Sequence, residues 1–442
     1  MLSQKKLSQF MNRKSIGILT YYWPPSGGSG VQRWLRFSNH LVELGWEVHV
    51  FTFKKPQYDV IDKEMEIQVH PAIKVNRIKG FEPSRFLKSM FSYKSKFKTY
   101  SDGTAFKHDT STLTSSIIRE LFFFPDARRF LVGPAYRYIK KYYLENNLNY
   151  LVTTGPPHSM HQVGLKLKRD IHIKWVSDFR DPWSNFFQNK LLNQLESTQK
   201  KHAREEKIIL KNADAVFTTA KSLNDEFFKI NNQCFYIPSG FDTNLSGKPY
   251  KKFRILYAGS MKPIQNPKNL WSVLADLIDA DENFKKLVEI VLIGNISPHV
   301  YNSEEFKKIK KRQIISPMSK NELDKEIEIS EILVVCSVNM KGCNDIVPGK
   351  FFHYLSSGKR ILGISNQGSD LENIIIETQS GKSFDYDNYH DLKNYIYESF
   401  KSYLEGKSVK KKPDAKYMSS NICLLYTSPS PRDQRGSRMA AS

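Results

Sequence analysis

The chain has 442 residues, which is enough for two domains and too many for a single small core. Hydrophobic residues make up 40% and charged residues 25%, proportions of an ordinary globular protein that exclude a disordered or collagen-like chain. The formal net charge of +22 indicates an anionic partner, such as nucleotide phosphates, a lipid headgroup surface or nucleic acid.

The cysteine pattern and the short apolar runs predict the compartment. Four cysteines show neither C-x-x-C pairing nor histidines at metal-ligand spacing, so we expect a reducing environment without disulfides or a structural zinc site. No apolar run approaches the roughly 18 residues of a membrane span, and the N-terminus lacks a signal-peptide core. We therefore predict a cytoplasmic protein, with the cytoplasmic face of the inner membrane as a further possible location.

The first elements predict a doubly wound α/β domain. Residues 15–22 form a β-branched apolar run, the loop PPSGGSG follows, and apolar residues then recur at helical spacing as far as Gly45. Residues 47–53 are predicted to form the next strand. This succession of strand, glycine-rich loop, helix and strand is a βαβ unit, which implies a parallel sheet.

The same alternation extends along the chain and divides it into two halves. Later strands are predicted at 149–155, 173–179, 214–220, 253–260, 287–294, 331–338 and 359–365. A Pro-, Gly-, Ser- and Lys-rich stretch separates the third of these from the fourth. We therefore predict an N-terminal Rossmann-like domain over 14–237, a connector over 238–252 and a C-terminal Rossmann-like domain over 253–421. Residues 423–442 are Ser-, Pro- and Arg-rich, which is typical of a non-native tail or of a genuine disordered one.

The glycine-rich loop matches neither a strict G-x-G-x-x-G fingerprint nor a P-loop, which disfavours a dehydrogenase or an NTPase. Gly27, Gly28 and Gly30 still allow backbone N–H groups to approach a ligand closely. The alternative is a tight turn without a ligand. Arg33 in the first helical turn either contacts a phosphate or is solvated.

Polar side chains follow two later strands of the N-terminal half. His158 could be an acid/base group, a hydrogen-bond donor to a sugar or a packed loop residue. Asp178, Arg180 and Asp181 stand where a buried strand ends, and uncompensated charge is costly there. One aspartate could contact an acceptor hydroxyl or stabilise charge on a sugar ring, while Arg180 pairs with the other. The alternative is an internal Asp–Arg pair, and the spacing predicts no catalytic metal.

The C-terminal half repeats this arrangement with cations. Ser260 and Lys262 follow its first strand, and Lys268 begins the next helix, an arrangement suited to a diphosphate or to ordinary surface lysines. Two α/β halves joined by a connector are expected to enclose a cleft between them. Asp345, Lys350 and His353 are predicted to lie around the start of a short helix that faces this cleft, where they could contact hydroxyls and phosphate.

Together these residues resemble retaining glycosyltransferases of the GT-B fold, in particular family 4 members that build bacterial surface polysaccharides. The resemblance covers about residues 14–421. It is carried, in order, by the glycine-rich loop and by the strings TTGPPHS, DFRDPW, KNADAVFTTA, IPSGFD, PGKFF and GSDLENIIIETQSGKSFDYD.

The resemblance implies an α/β fold of two doubly wound domains facing across a cleft. It also implies transfer of a sugar, with retention of configuration, from a nucleotide-sugar donor to a hydroxyl of a glycan or lipid-linked acceptor in exopolysaccharide, O-antigen or capsule synthesis. No metal or other cofactor is expected. The expected catalytic residues are Asp178, Asp181 and His158; the donor-binding residues are Gly28, Ser260, Lys262, Lys268, Asp345, Lys350 and His353; the acceptor-binding residues are Gly27, Gly30, Arg33 and Arg180.

One departure from the family pattern concerns the donor site. The family usually carries two glutamates eight positions apart where this chain has Asp345 and His353. Aspartate is shorter, and a neutral imidazole accepts fewer hydrogen bonds than a carboxylate, so donor contacts are expected to weaken by roughly tenfold to a hundredfold. Altered donor preference, low activity and loss of catalysis all remain open.

Residues 84–100 carry five basic and five aromatic side chains and no acid, a composition suited either to an anionic membrane interface or to a solvated loop. Three alternatives to a transferase remain open. They are a sugar-nucleotide epimerase or phosphorylase, a noncatalytic sugar- or nucleotide-binding protein, and a nucleic-acid-binding protein. The last is disfavoured because no recognition motif accompanies the charge, so we expect no nucleic-acid partner.

Overall fold

The computed structural model describes residues 14–58, 60–82, 123–186, 195–242, 245–246, 248–340, 342–407 and 413–427. Its strands are β1 Ser15–Leu19, β2 Glu47–Phe53, β3 Lys74–Ile78, β4 Tyr150–Gly155, β5 Lys174–Phe179, β6 Ala215–Thr218, β7 Cys234–Tyr236, β8 Phe253–Ala258, β9 Val288–Ile293, β10 Arg312–Ile315, β11 Ile332–Cys336, β12 Arg360–Ile364 and β13 Gly381–Phe384.

Its α-helices are α1 Ser29–Glu43, α2 Glu64–Ile67, α3 Val132–Asn146, α4 Ser159–Ile171, α5 Glu196–Asn212, α6 Lys221–Phe228, α7 Lys268–Ala280, α8 Glu282–Leu287, α9 Pro298–Tyr301, α10 Glu304–Lys307, α11 Lys320–Glu328, α12 Lys350–Leu355, α13 Asp370–Glu377, α14 His390–Leu404 and α15 Ser419–Thr427.

The strands form two parallel sheets. The first has seven strands in the order β3-β2-β1-β4-β5-β6-β7, and the second has six in the order β10-β9-β8-β11-β12-β13. The predicted doubly wound α/β architecture is therefore confirmed. In each sheet the chain first builds outward on one side and then returns to the other, so a topological switch point lies between β1 and β4 and a second between β8 and β11. Ligands of open α/β sheets bind at such points, outside the carboxyl ends of the strands.

The local structure follows from the sequence pattern. The five residues of β1 and the five of β11 are all buried, as expected for central strands of parallel sheets covered by helices on both faces. Helix α1 follows Gly28 and ends before Gly45. The φ angles of these two glycines, 89° and 83°, lie in the left-handed region, which glycine adopts without steric strain. The apolar face of α1, including Trp34 and Phe37, joins the core beneath β1 and β2.

The last described helix returns to the N-terminal domain. The Phe241 amide donates to the Tyr417 carbonyl at 2.9 Å, and the Ser419 amide donates to the Phe241 carbonyl at 2.7 Å. Helix α15 then packs against α1. Ile422 and Cys423 of α15 are buried in the core that contains α1. The predicted tail boundary at residue 423 therefore falls inside a packed helix, while the origin of the residues that follow stays a prediction.

Two expectations concern the relation of the chain to a membrane. Within the described ranges, no helix is both long enough and apolar enough to cross a bilayer. The basic and aromatic segment 84–100 lies outside the described residues.

Candidate functional site at the two switch points

Arg180 joins the loops that meet at the N-terminal switch point. Its Nη1 donates to the Gly30 carbonyl at 2.8 Å, its Nε donates to the Gly155 carbonyl at 3.3 Å, and its Nη2 donates to the Pro156 carbonyl. A Cβ added at Gly30 would stand 2.8 Å from Nη1, so a larger residue there would displace the guanidinium. Arg180 thus holds the loops after β1 and β4 together, and its predicted contact with an acceptor stays untested.

Asp178 forms a buried ion pair, and its partner is Arg33. The carboxylate has no exposed surface and accepts from Arg33 Nη2 at 2.7 Å, Arg33 Nε at 3.1 Å, Trp34 Nε1 at 2.8 Å and Thr154 Oγ1 at 2.7 Å. Burial alone would raise the pKa of Asp178, but the charge of Arg33 and these hydrogen bonds hold it below its ordinary value.

The same guanidinium ties this pair to the start of the connector. Arg33 Nη1 donates to the Ile237 carbonyl at 2.7 Å and to the Pro238 carbonyl at 2.9 Å. Arg33 is therefore not solvated, and Asp178 and two backbone carbonyls engage its guanidinium, while its predicted contact with an acceptor or a phosphate stays untested. The geometry favours the internal pair foreseen as an alternative, with Arg33 in the place where the sequence suggested Arg180.

His158, in the loop that follows β4, packs against the loop that follows β5. Its ring stacks parallel on Trp183 at 5.2 Å, and it hydrogen-bonds the Pro182 backbone. Its Nδ1 is buried without a partner, 2.7 Å from where a Cβ of Gly155 would stand. Burial, together with the nearby His161 and Arg180, lowers the pKa of His158 well below its usual range. The ring is neutral at pH 7, and this arrangement favours a packed loop residue over an acid/base group.

Two residues that the sequence did not single out anchor this loop. The Glu206 carboxylate accepts from the Trp183 amide at 3.1 Å, the Ser184 amide at 2.9 Å and Ser184 Oγ at 2.6 Å. One turn earlier on α5, His202 Nδ1 accepts from Trp183 Nε1 at 2.8 Å. The only available signal was a His and a Glu four residues apart on a helix rich in charged residues, which does not distinguish a buried pair from a solvated one.

The loop after β8 forms the corresponding edge of the C-terminal domain. Gly259 has a φ of 113°, and a Cβ on the neighbouring Gly294 would stand 2.5 Å from the Gly259 carbonyl oxygen, so the two backbones pack directly together. Exposed Ser260 follows, and its carbonyl accepts from the Tyr257 hydroxyl at 2.7 Å.

The predicted donor-site lysines differ in their surroundings. The Lys262 amide donates to Gln265 Oε1 at 3.1 Å, which closes a short turn. Lys268 is exposed, and its Nζ lies 3.6 Å from Glu305 Oε1 on α10. Lys350 Nζ is instead buried, 3.7 Å from the centre of the Tyr257 ring. Of Lys268 and Lys350, the lysine whose ammonium lies beside the loop after β8 is Lys350.

Asp345 and His353, both predicted to contact the donor, have different surroundings. Burial raises the pKa of Asp345 to about 6, with smaller contributions from the negative charges of Asp181, Asp370 and Glu226. His353 Nε2 pairs with Asp324 Oδ1 on α11 at 2.5 Å. One imidazole nitrogen of His353 is thus already engaged by the protein.

Contacts between the two domains join loops at the carboxyl edges of both sheets. Ser222 Oγ on α6 donates to Asp370 Oδ2 at 2.7 Å, and its amide donates to the same oxygen at 3.0 Å. The Asp370 amide in turn donates to the Asn344 carbonyl at 2.8 Å, so Asp370 connects α6 to the loop that carries Asp345. Among the residues described, no group of three or more His, Cys, Asp or Glu side chains could hold a metal ion.

Comparison with known proteins supports the fold. No family model and no curated protein matches the chain. Sucrose-phosphate synthase from Thermosynechococcus elongatus is similar with a TM-score of 0.63 and 15% identity over 97% of this chain and 100% of that one. Anabaena HepE in complex with UDP-glucose is similar with a TM-score of 0.58 and 10% identity, over 93% of this chain and 98% of that one. WaaG, a glycosyltransferase involved in lipopolysaccharide biosynthesis, is similar with a TM-score of 0.53 and 10% identity, over 94% of this chain and 96% of that one. This chain thus has the GT-B fold of two Rossmann-like domains.

Proposed function

We propose that this protein is a retaining glycosyltransferase that moves a sugar from a nucleotide-sugar donor to a hydroxyl group. The observation that carries the proposal is that loops at the carboxyl edges of both sheets contact each other, so one domain can hold the donor and the other the acceptor. A one-substrate binding protein needs only one such edge. The GT-B fold shared with WaaG and with HepE, whose structure holds UDP-glucose, supports the same assignment.

The donor is assigned to the C-terminal domain. There, exposed Ser260 and the glycine-lined loop after β8 offer backbone groups, and Lys350 offers a cation for the charge that develops on a departing nucleoside diphosphate. Asp345 and Asp181, from opposite domains, interact electrostatically. We assign these two carboxylates to stabilising positive charge on the sugar ring during transfer. Asp178 and His158 then act by holding the loops rather than by touching the substrate.

The acceptor is assigned to the N-terminal domain, beside the loop of Gly27, Gly28 and Gly30. We propose a glycan or lipid-linked acceptor in cell-surface polysaccharide synthesis and a cytoplasmic location. Contact of segment 84–100 with an anionic membrane, and a reaction without a metal cofactor, belong to the same proposal. The basic and aromatic composition of that segment supports the membrane contact.

A second candidate is a catalytically impaired protein that binds sugars or nucleotides. The observation that favours it is the pairing of His353 with Asp324, because this pairing leaves fewer groups for a donor at that position than a free glutamate would. Replacing both Asp345 and His353 with glutamate separates the candidates. Turnover that appears only in this double variant supports the impaired protein, whereas turnover in the unmodified chain contradicts it.

The primary test is a thermal-shift panel of UDP, GDP, ADP, TDP and CMP. A ligand at 100 times its dissociation constant stabilises the folded state by about 2.7 kcal/mol, which a melting curve resolves. One selective shift supports the transferase, and no shift with any nucleotide contradicts it. The matching nucleotide sugar is then incubated with and without acceptor, because product formed without acceptor, or with inorganic phosphate alone, identifies an epimerase or a phosphorylase instead.

A further inference from the structure

Helix α6 of the N-terminal domain is capped by a side chain of the C-terminal domain. The residue before α6 is Ala220, which has no side-chain oxygen to accept from the first amides of the helix. Ser222 is the second residue of α6. Its amide donates to Asp370 Oδ2 at 3.0 Å, and its Oγ donates to the same oxygen at 2.7 Å. An amide that an N-cap side chain would ordinarily satisfy is therefore satisfied by a carboxylate from the start of α13.

Helix α13 does not need this carboxylate for its own cap. Ser369 caps α13, because its Oγ accepts from the Glu372 amide at 3.3 Å. Asp370 is 5% exposed, and a buried carboxylate is costly unless hydrogen bonds satisfy it. Within the described ranges, each hydrogen bond that this carboxylate accepts is donated by Ser222. The start of a helix in the other domain thus stabilises the charge of Asp370.

Asp370 also holds the loop that carries Asp345. The Asp370 amide donates to the carbonyl of Asn344 at 2.8 Å, and Asn344 directly precedes Asp345 in the chain. On α6, Glu226 lies one turn after Ser222 on the same face of the helix. The negative charge of Glu226 is among those that raise the pKa of Asp345, so this face of α6 lies near the Asp345 loop. The contact between Asp370 and Ser222 therefore fixes that loop relative to α6.

The other end of α13 is connected to the N-terminal domain as well. Glu377 Oε2 accepts from the Tyr417 hydroxyl at 3.3 Å, and Tyr417 hydrogen-bonds Tyr236 on β7. Helix α13 thus contacts the N-terminal domain directly at its start and through Tyr417 at its end. Because both ends are held, α13 is restrained from pivoting about the contact with α6.

We propose that Asp370 is a positioning residue that fixes Asp345 relative to the N-terminal domain by capping α6. This inference rests on the proposed function, in which Asp345 stabilises positive charge on the sugar ring and Asp370 does not touch the substrate. That function assigns the donor to one domain and the acceptor to the other. A contact between the domains therefore governs the alignment of the reacting groups more than the affinity for either substrate.

Steady-state kinetics on the full chain tests this role. Release of UDP from UDP-glucose is measured first, with GDP-mannose and ADP-glucose used if the thermal-shift panel selects another base. Asp370→Asn and Ser222→Ala are each expected to lower kcat by about tenfold to a hundredfold and to change the donor KM less than about threefold. The double variant is expected to lower kcat no further than the more impaired single variant, because both changes remove one interaction. Ser222→Thr keeps the hydroxyl and is expected to restore most of kcat.

Amide exchange measured by mass spectrometry tests the contact without any substrate. Ser222→Ala is expected to speed exchange in residues 342–346, which belong to the other domain. A cap that stabilised only α6 would leave those residues unchanged. Ser222→Ala removes one hydroxyl group, so it keeps the test decisive if Asp370→Asn does not fold.

Asp281→Asn is the matched control, because it weakens a carboxylate cap within one domain. Asp281 caps α8 by accepting from the Asn283 and Phe284 amides at 2.8 and 2.9 Å. This variant is expected to change neither kcat nor exchange in residues 342–346. If the unmodified chain releases no nucleoside diphosphate from any of the three donors, the proposed function fails and the role of Asp370 with it. If it does, and Ser222→Ala keeps the kcat of the unmodified chain or leaves exchange in residues 342–346 unchanged, only the role of Asp370 is overturned.

Discussion

Replacing Asp178 with asparagine tests whether this carboxylate supports the fold or the chemistry. Asp178→Asn keeps the shape but removes the negative charge that faces the buried Arg33 guanidinium, and it places an amide NH₂ opposite other donors. Breaking a buried ion pair from one side costs about 3–5 kcal/mol. For a domain of this size, each kcal/mol of lost stability lowers the melting temperature by about 2–4 °C, so the variant is expected to melt about 6–20 °C lower.

The pH dependence gives this prediction a sign. The pKa of Asp178 is lowered in the folded state, so its contribution is complete above the unfolded value near 3.9 and disappears as the pH falls through the folded pKa. The stability difference between the two proteins is therefore constant from about pH 5 to pH 8 and shrinks below about pH 4. Urea unfolding followed by circular dichroism at several pH values measures it.

A surface pair provides the control. Asp170→Asn disrupts the exposed pair with Lys140 and is expected to change the free energy of unfolding far less than Asp178→Asn does. A loss below 1 kcal/mol in Asp178→Asn, or full stability together with lost transfer activity, would refute the reasoning and return Asp178 to a catalytic role.

The remaining predictions concern the loops and the second carboxylate. His158→Phe keeps the stacked ring and is expected to slow transfer less than about tenfold, whereas loss of an acid/base group costs 10²–10⁴-fold; steady-state rates decide between these outcomes. Glu206→Ala removes the carboxylate that accepts from three donors of residues 183–184. Amide exchange there is expected to become faster, measured by mass spectrometry with Glu205→Ala as control. The pKa of Asp345 is raised to about 6, so the folded protein loses stability as the pH rises from about 4 to about 6 and this buried carboxyl group ionises. Asp345→Asn is therefore expected to melt at a higher temperature than the unmodified protein at pH 8 and at the same temperature at pH 4. The variant is also expected to lose the acidic limb of the pH–activity profile. Equal melting at pH 8 would contradict this reasoning.

The sequence by itself determined the architecture. Buried parallel strands such as β1 and β11 are continuous apolar runs, so their positions, the alternation with helices and the change near residue 238 could be predicted from local pattern. The positions of edge strands could not be predicted in this way. The partly exposed β3 and β10 lack such runs because only one neighbour and part of one face cover them, and they were missed.

Only the tertiary structure decided which polar residues face each other. Asp178 and Arg33 are 145 positions apart, so the sequence could indicate that a charge at the end of β5 needs a partner but could not identify Arg33 as that partner. Glu206 is equally invisible, since its function depends on a loop that folds against α5. Lys350 could be predicted as a donor-site candidate from its place at the start of α12. That its ammonium lies buried and unpaired against Tyr257 follows from the packing of α12 against β8, which no local pattern encodes.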